Sequence, residues 1–241
     1  MNLDEHLARE HKISPFSTYL KEIVYGGNDG IVTTFAVVAG FTGAQAPASI
    51  PSVPFISVLL FGLANLFADG VSMSLGSFLS IRSEQDVYRS EKAKERHEIR
   101  HSADMEKEET EQILKDKGFT DADAKSLTTL LAKNERYWTE FMMHDELTLP
   151  NPEHEKPLAV GLATFLSFIT FGFIPLVPYV VAASSPSVFL LSILFTFMAL
   201  LLLGTLRWQV TKISLLRAIA ETLIVGMTSA SVAYLVGTFF R

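Results

Sequence analysis

The stretch PLAVGLATFLSFITFGFIPLVPYVVAASSPSVFLLSILFTFMALLLLGTL, residues 157–206, contains no aspartate, glutamate, lysine or arginine. An apolar helix of about 20 residues crosses the hydrocarbon core of a bilayer. The stretch is therefore long enough for two crossings, separated by the serine- and proline-rich segment 182–187. Residues 31–68 are likewise uncharged. These stretches predict a polytopic membrane protein.

Five membrane-spanning helices are predicted, at residues 23–42, 55–80, 158–182, 188–206 and 214–240. Between the second and third lies a strongly charged segment, 82–156, whose helical pattern indicates a small domain rather than a linker. We expect the second helix to continue directly into it. The predicted fold is all-α, with an N-terminal segment 1–22, helices one and two in 23–81, a helical metal-binding domain in 82–156, and helices three to five in 157–241.

Basic residues orient the predicted helices. Of the 20 lysines and arginines, all but Arg241 lie in the N-terminal segment, the charged domain or residues 207–217. The positive-inside rule then places the N-terminus and the charged domain in the cytoplasm and the C-terminus on the opposite side. The N-terminal residues lack the pattern of a secretory signal. The short chain, without a targeting extension, favours a bacterial plasma membrane over a vacuolar one.

Four polar or sulfur-bearing residues in the first two helices are candidates for an ion pathway: Asp29, Asn65, Asp69 and Met73. The last three follow one another at four-residue spacing and so share one stripe of a helix. Carboxylate with thioether suits a borderline-soft divalent cation, and the chain has no cysteine to supply a thiolate. The alternative interpretation is interhelical hydrogen bonding for the polar residues and plain packing for Met73.

A second set of candidates lies in the charged domain. If residues 82–117 form one continuous helix, five glutamates share an arc of about 80°. Like charges at this spacing destabilise a helix, so a divalent cation is expected to neutralise them; a solvated acidic face is the alternative. A further helix, opened by Thr120 and running through residue 142, would present two methionines and a glutamate to that face. The full set is Glu91, Glu95, Glu98, Glu106, Glu109, Met142, Met143 and Glu146.

Two other patterns suggest different functions. His97-Glu98-Ile99-Arg100-His101 matches the H-E-x-x-H zinc motif, which would make the protein a membrane-anchored metal-dependent hydrolase, although that site needs a third ligand and a dry cleft. A metal-sequestering membrane protein without transport is a second alternative. The glycine-rich GGNDG at 26–30 lacks the Gly-Lys-Ser/Thr of a phosphate loop, which argues against ATP-driven transport.

Several segments, in this order, resemble the vacuolar iron transporter and nodulin-like family of divalent-metal transporters: NDGIVTTFAVVAGF (28–41), ADGVSMSLGSFLS (68–80), the acidic helix, FMMHDELTL (141–149) and FGFIPLVPY (171–179). The resemblance implies a five-helix homodimer that exports Fe²⁺ or Mn²⁺ from the cytoplasm in exchange for protons and serves iron homeostasis. It also implies a secondary transporter without catalytic residues, embedded in a lipid bilayer, with Zn²⁺ and Co²⁺ as further candidate ions. No nucleic-acid partner is expected.

The resemblance also assigns roles to residues. It implies that Asp29 and Met73 line the pathway. It implies that the metal-binding domain uses two Glu-x-x-Glu pairs and a Met-Met-x-x-Glu motif, which here are Glu95 with Glu98, Glu106 with Glu109, and Met142, Met143 and Glu146. One departure is visible, because Asn65 stands where many members have glutamate and Asp69 stands where they have glycine. The acidic group has thus moved by one helical turn.

Overall fold

The computed structural model describes residues 15–44, 55–182 and 187–239, and all regular secondary structure within these ranges is helical. The prediction of an all-α fold is confirmed. The helices are α1 (Pro15–Thr18), α2 (Leu20–Ala44), α3 (Phe55–His101), α4 (Ala103–Asp116), α5 (Asp121–Leu131), α6 (Glu135–Asp145), α7 (Pro157–Phe173), α8 (Val177–Val181), α9 (Val188–Thr211) and α10 (Leu215–Phe239). Short 3₁₀ turns cover Pro152–His154 and Ile174–Leu176.

The described residues fall into two compact units. One, here the membrane unit, comprises the described residues up to Phe78 and from Leu158 onward, and the other, here the acidic unit, is Leu79–Pro157. The uninterrupted helix α3 contributes residues to both, so the expected continuation of the second predicted helix beyond residue 80 is confirmed.

Among the described residues, four helices are long and apolar enough to cross a membrane: Ile56–His101, Pro157–Val181, Val188–Thr211 and Leu215–Phe239. Their exposed surfaces carry many large apolar side chains, among them Leu60, Leu162 and Leu190. A helix that is apolar on all sides is typical of a membrane span. The chain is therefore a membrane protein.

Helix α2 lies at the centre of the membrane unit although it carries Lys21, Glu22 and Asp29. It packs on α9 and α10 and crosses α7 closely. A Cβ atom added at Gly30 would lie 2.4 Å from the backbone oxygen of Phe168 on α7. Small residues at such crossings let two backbones approach, which is the usual way in which membrane helices associate.

The third predicted span, 158–182, is not one continuous helix, because prolines interrupt it after α7. The chain changes to the 3₁₀ turn Ile174–Leu176 before α8 begins. The carbonyl of Pro175 accepts a hydrogen bond from the Ser192 hydroxyl on α9 at 2.7 Å. A backbone group freed at membrane depth thus finds a partner inside the protein, as the absence of water there requires.

The acidic unit corrects two expectations about its helices. Residues 82–117 are not one helix, because Ser102 (φ −132°, ψ 33°) separates α3 from α4. The second helix is also divided: α5 ends at Leu131, and Asn134 opens α6 by accepting a hydrogen bond from the Tyr137 backbone N–H. The Asn134 side chain thus replaces a helical backbone bond, whereas Ser102 makes no side-chain capping bond, and neither position carried a glycine or proline that would have signalled a break.

Other features of the acidic unit agree with the sequence. Thr120 caps α5, and its side chain accepts a hydrogen bond from the Asp123 backbone N–H. Gln85 donates from Nε2 to the carbonyls of Pro152 and Glu155, both at 3.1 Å, and so fixes the segment that follows α6. The core of the unit contains Ile99, Trp138 and Met142.

Candidate functional site

Three glutamates converge in the acidic unit. Glu95 lies on α3, Glu106 on α4 and Glu146 just after α6, and one carboxylate oxygen of each lies within 4.8 Å of the other two. Glu95 is only 3% exposed and Glu106 only 5%, whereas Glu146 is exposed. Buried carboxylates without nearby cations are unusual unless they bind a cation or a proton.

The break at Ser102 makes this convergence possible. On a continuous helix, eleven residues would separate Glu95 from Glu106 by about 16 Å along the axis, beyond the reach of two side chains. The non-helical conformation of Ser102 redirects the chain, so that α4 brings Glu106 to Glu95. Glu146 is placed by the C-terminal end of α6, where its backbone N–H donates to the Met142 carbonyl at 3.0 Å.

Further acidic residues surround the three. A pocket of about 250 Å³ is lined by Glu91, Glu98 and Glu109 in addition to the converging glutamates. The structure thus brings all six sequence-predicted carboxylates to one pocket. Lys94 also lines it, and its Nζ lies 3.7 Å from a Glu91 carboxylate oxygen. We call these six carboxylates the acidic cluster.

Burial and mutual repulsion raise the pKa values of three glutamates in the acidic cluster. Burial, followed by the charges of Glu106 and Glu146, raises the pKa of Glu95 to about 8. Burial also raises the pKa of Glu106. Burial, followed by the charges of Glu109 and Glu98, raises the pKa of Glu146. Without a cation, Glu95 therefore retains a proton that exposed glutamates have lost at neutral pH.

The unpaired oxygen atoms fit a cation site. Glu95 Oε1 and Glu106 Oε2 are buried and have no hydrogen-bond partner among the described residues. A divalent cation would satisfy both atoms and offset the repulsion at once. Carboxylate oxygens suit Mg²⁺, Ca²⁺ and Mn²⁺ and also accept Fe²⁺, so the oxygen ligands alone do not select one metal.

The two predicted methionine ligands do not line this pocket. Met142 and Met143 are both 0% exposed. Met142 packs in the core of the unit, where its Sδ lies 3.3 Å from the oxygen of the Thr110 hydroxyl, which also lies 2.7 Å from the Glu106 carbonyl and donates its one hydrogen there. Thr110 in turn accepts a hydrogen bond from Trp138 Nε1 at 2.8 Å. In this arrangement the sulfur of Met142 interacts with a protein hydroxyl rather than with the pocket.

The predicted pathway residues lie in the membrane unit and are all partly buried. Asp29 on α2 and Asp69 on α3 lie close enough for their like charges to interact. Met73, one turn further along α3, packs beside a buried apolar cluster that includes Leu66. Asn65 Nδ2 is buried without a hydrogen-bond partner among the described residues.

Two residues of these sites were missed by the sequence analysis. The Asn28 side-chain oxygen, next to Asp29, is buried and also lacks a partner in the described part of the chain. A polar residue in a predicted span was a signal that could have identified it. Thr110, which joins Trp138 to Met142, carried no comparable signal because a lone threonine in a charged helix is ordinary.

The H-E-x-x-H pattern does not form the three-ligand zinc site of a hydrolase. His97 and His101 are exposed on α3. Within the described residues, the one group of three or more metal-ligating side chains is that of Glu95, Glu106 and Glu146. A catalytic zinc site needs three protein ligands and a water position in a protected cavity.

Comparison with known proteins agrees with the resemblance seen in the sequence. A model of the VIT family matches residues 20–238. Vacuolar iron transporter 1 of Tulipa gesneriana is 30% identical over 232 residues, covering 95% of this chain and 91% of the relative. The vacuolar iron transporter of Toxoplasma gondii is 32% identical over 253 residues, covering 100% and 82%. That of Plasmodium falciparum is 31% identical over 249 residues, covering 100% and 88%. The chain belongs to the VIT family.

Proposed function

We propose that this protein exports Fe²⁺ or Mn²⁺ from the cytoplasm across a membrane in exchange for protons. The observation that carries the proposal is the acidic cluster, in which the buried, unpaired carboxylate oxygens of Glu95 and Glu106 converge with the exposed carboxylate of Glu146 at one pocket. The names of the relatives, vacuolar iron transporters, support iron as a substrate. Mn²⁺, Zn²⁺ and Co²⁺ are further substrates that similar ligands would accept.

In this proposal the acidic cluster captures the ion. A divalent cation entering the pocket displaces the proton that Glu95 retains because its pKa is about 8. It also removes the repulsion between Glu95, Glu106 and Glu146. Because this repulsion exists whenever the pocket is empty, it favours capture of the cation. Met142 and Met143 would join the ligand set only after repacking of the core, because both are buried.

The ion then passes to Asp29, Asn65, Asp69 and Met73 in the membrane unit. The neighbouring carboxylates of Asp29 and Asp69 interact through their like charges. Such a pair is stabilised either by protons or by a divalent cation, and the two modes exclude each other. Protons arriving from the far side would therefore release the metal, and this exclusion is the basis of coupling.

The proposed topology has five spans, with α2 as the fifth beside the four helices of sufficient length and hydropathy. The distribution of Lys and Arg residues supports a cytoplasmic N-terminus and acidic unit, with the C-terminus on the opposite side. Two chains would form a homodimer, in a bacterial plasma membrane or a vacuolar membrane.

The proposal is tested by metal uptake into liposomes that contain the purified full chain and carry an imposed pH gradient. Wild type is compared, for Fe²⁺ and Mn²⁺, with Asp29→Asn, with Asp69→Asn and with Asp86→Asn as a matched control on an exposed aspartate that pairs with Arg89. We expect gradient-dependent flux in wild type and control and none in the two pathway variants.

Two results would contradict the proposal. Full flux in both pathway variants would show that the carboxylates of the membrane unit do not conduct the ion. Metal binding by wild type without any flux would indicate a sequestering protein, whose function resides in the acidic cluster alone.

A further inference from the structure

A cavity of about 730 Å³ opens at one end of the membrane unit. It lies where α2 begins, α9 ends and α10 begins. Its volume falls within the range of ligand pockets, about 300–1,000 Å³, so it is large enough for an ordered ligand. We call it the basic cavity, and the lining residues that matter for its chemistry are Lys21, Val24, Tyr25, Arg207, Glu221 and Val225.

The basic cavity lies at the level of the lipid headgroups. Lys21 is in the first turn of α2, and Arg207 is one turn before the end of α9, so both charges are close to the ends of membrane helices. Tyr25, which lines the cavity, and Trp208, which follows Arg207, are both exposed. Tyrosine and tryptophan are enriched where the bilayer meets water. Ligands of this cavity are therefore groups found at the membrane surface.

Positive charge exceeds negative charge around the cavity. Two guanidinium groups share the Glu221 carboxylate, because Arg207 Nη2 lies 2.7 Å from its Oε2 and Arg217 Nε lies 2.8 Å from its Oε1. Lys21 is exposed and forms no ion pair within the described ranges. Its neighbour Glu22 does not line the cavity, and Glu22 Oε2 is buried. Three cations thus face one carboxylate, and a bound anion would offset the excess.

The rest of the wall is apolar and distinguishes a lipid from a small soluble anion. Val24 on α2 and Val225 on α10 line the cavity, and the Val225 side chain is exposed at the surface of the membrane unit. A free phosphate ion would contact only the cations and would gain nothing from these valines. A phospholipid contacts both parts, because its phosphate is charged and its acyl chains are apolar.

We propose that the basic cavity binds one anionic phospholipid, with the phosphate at Lys21 and Arg207 and the acyl chains along Val24 and Val225. Basic pockets between membrane helices near the cytoplasmic surface bind the headgroups of anionic lipids, and the proposed topology makes this end of the unit cytoplasmic. The bound lipid contacts α2, α9 and α10 together and so joins the helix that carries Asp29 to its neighbours. Lipid binding does not depend on transport, so either proposal can fail without the other.

Lys21 offers the clearest way to measure the contribution of charge. A lysine or arginine near the membrane surface strengthens the attraction to anionic lipid about fivefold. Because Lys21 has no ion-pair partner within the described residues, replacing it should not disturb the packing of the helices. Arg207 is less suitable, since its replacement would also break the ion pair with Glu221.

The test uses the delipidated full chain in neutral detergent and measures lipid binding by native mass spectrometry. The affinity for the first bound phosphatidylglycerol is compared with that for the first bound phosphatidylcholine, both with the same acyl chains. The variants are Lys21→Gln and Val225→Phe, which fills part of the apolar wall and keeps every charge. Arg82→Gln is the control, because Arg82 is an exposed arginine of α3 outside the cavity. Glycerol 3-phosphate is added as a soluble competitor.

We expect wild type to bind phosphatidylglycerol at least about fivefold more tightly than phosphatidylcholine, and Lys21→Gln to lose about fivefold in this affinity. Val225→Phe should weaken the binding of phosphatidylglycerol, Arg82→Gln should retain it, and glycerol 3-phosphate should not displace it. Thermal unfolding of each variant at the wild-type temperature would show that the losses are not losses of fold.

Several results would overturn the proposal. Equal affinity of wild type for the two lipids, or unchanged binding in Lys21→Gln or Val225→Phe, would show that the cavity does not select an anionic lipid. An equal loss in Arg82→Gln would assign the preference to the general surface charge. Displacement by glycerol 3-phosphate would indicate a site for phosphate alone. A change in the number of chains per particle in Val225→Phe would show that a second copy of the chain covers the cavity.

Discussion

Replacing Glu95 with glutamine should stabilise the metal-free protein and abolish its response to metal. Glu95 is 3% exposed, and burial together with the charges of Glu106 and Glu146 raises its pKa to about 8 from an ordinary value of 4.5. Between these two pH values the folded chain retains a proton that the unfolded chain has released. The free energy of unfolding of wild type must therefore fall as pH rises from 4.5 to 8.

The magnitude follows from the width of this window. Each pH unit corresponds to about 1.4 kcal/mol, so the free energy of unfolding of the metal-free protein falls by roughly 3 kcal/mol between pH 4.5 and pH 7, where only the unfolded chain has released the Glu95 proton, and by up to roughly 5 kcal/mol above pH 8. Glutamine is isosteric and neutral at every pH. The variant should therefore match wild type near pH 4.5 and exceed it increasingly at higher pH.

Bound Mn²⁺ should reverse the order of stability of wild type and Glu95→Gln. A saturating cation stabilises wild type by about 2.7 kcal/mol at a hundred times its dissociation constant. Because one proton must leave Glu95, the apparent affinity for Mn²⁺ should fall about tenfold for each pH unit below pH 8. Glu95→Gln, which lacks the charge, should gain little stability from Mn²⁺ at any pH.

The assay is thermal unfolding of the full chain in detergent, followed by tryptophan fluorescence at pH values from 5 to about 9. Trp138 lies in the core of the acidic unit and reports its unfolding. Glu108→Gln is the matched control, because Glu108 is an exposed glutamate of α4 that does not line the pocket. The reasoning is refuted if Glu95→Gln loses stability with pH as steeply as wild type, or if Mn²⁺ stabilises both equally.

Two further substitutions test the packing of each unit by thermal unfolding. Gly30→Ala places a Cβ atom 2.4 Å from a backbone oxygen of α7 and should destabilise the membrane unit by about 1–3 kcal/mol, whereas Gly40→Ala on the same helix meets nothing within 4 Å and should change little. An unchanged melting temperature in Gly30→Ala would show that the helices do not cross there. Thr110→Val leaves the Trp138 indole N–H without its acceptor and should destabilise the acidic unit by about 1–3 kcal/mol. Thr129→Val, which removes an exposed hydroxyl bound to the Lys125 carbonyl, should have a much smaller effect, and equal losses in the two variants would contradict the importance of the buried network.

The apolar helices were predictable because the bilayer imposes a simple requirement on the sequence. Residues 157–206 carry no charge; the span predicted at 158–182 is found as α7, a 3₁₀ turn and α8, together Pro157–Val181, and the span predicted at 188–206 is found as α9, which continues to Thr211. The helix predicted at 23–42 is found as α2, which is less apolar because it carries Lys21, Glu22 and the partly buried Asp29. It was predictable because the uncharged stretch that begins at residue 31 supplies most of its length.

The methionines show the limit of reasoning from motifs. Spacing alone cannot tell a thioether that faces an ion from one that fills a core, because both occur at helical periodicity. Here Met142 lies among Ile99 and Trp138, and its sulfur contacts the Thr110 hydroxyl. That environment depends on how α6 packs on its neighbours, which no local pattern encodes.

In the acidic cluster, the sequence identified the carboxylates that share one pocket although it wrongly predicted a continuous helix. A continuous helix would align the glutamates from 91 to 109 on one face but spread them over about 27 Å, and no single ion could contact both ends of such a row. Metal–oxygen bonds of about 2.0–2.6 Å require the ligands to surround a point. The break at Ser102 converts the row into a pocket, because α4 then carries Glu106 to Glu95. Helical periodicity therefore identified which carboxylates share a face, but a cation site required an interruption of that same periodicity.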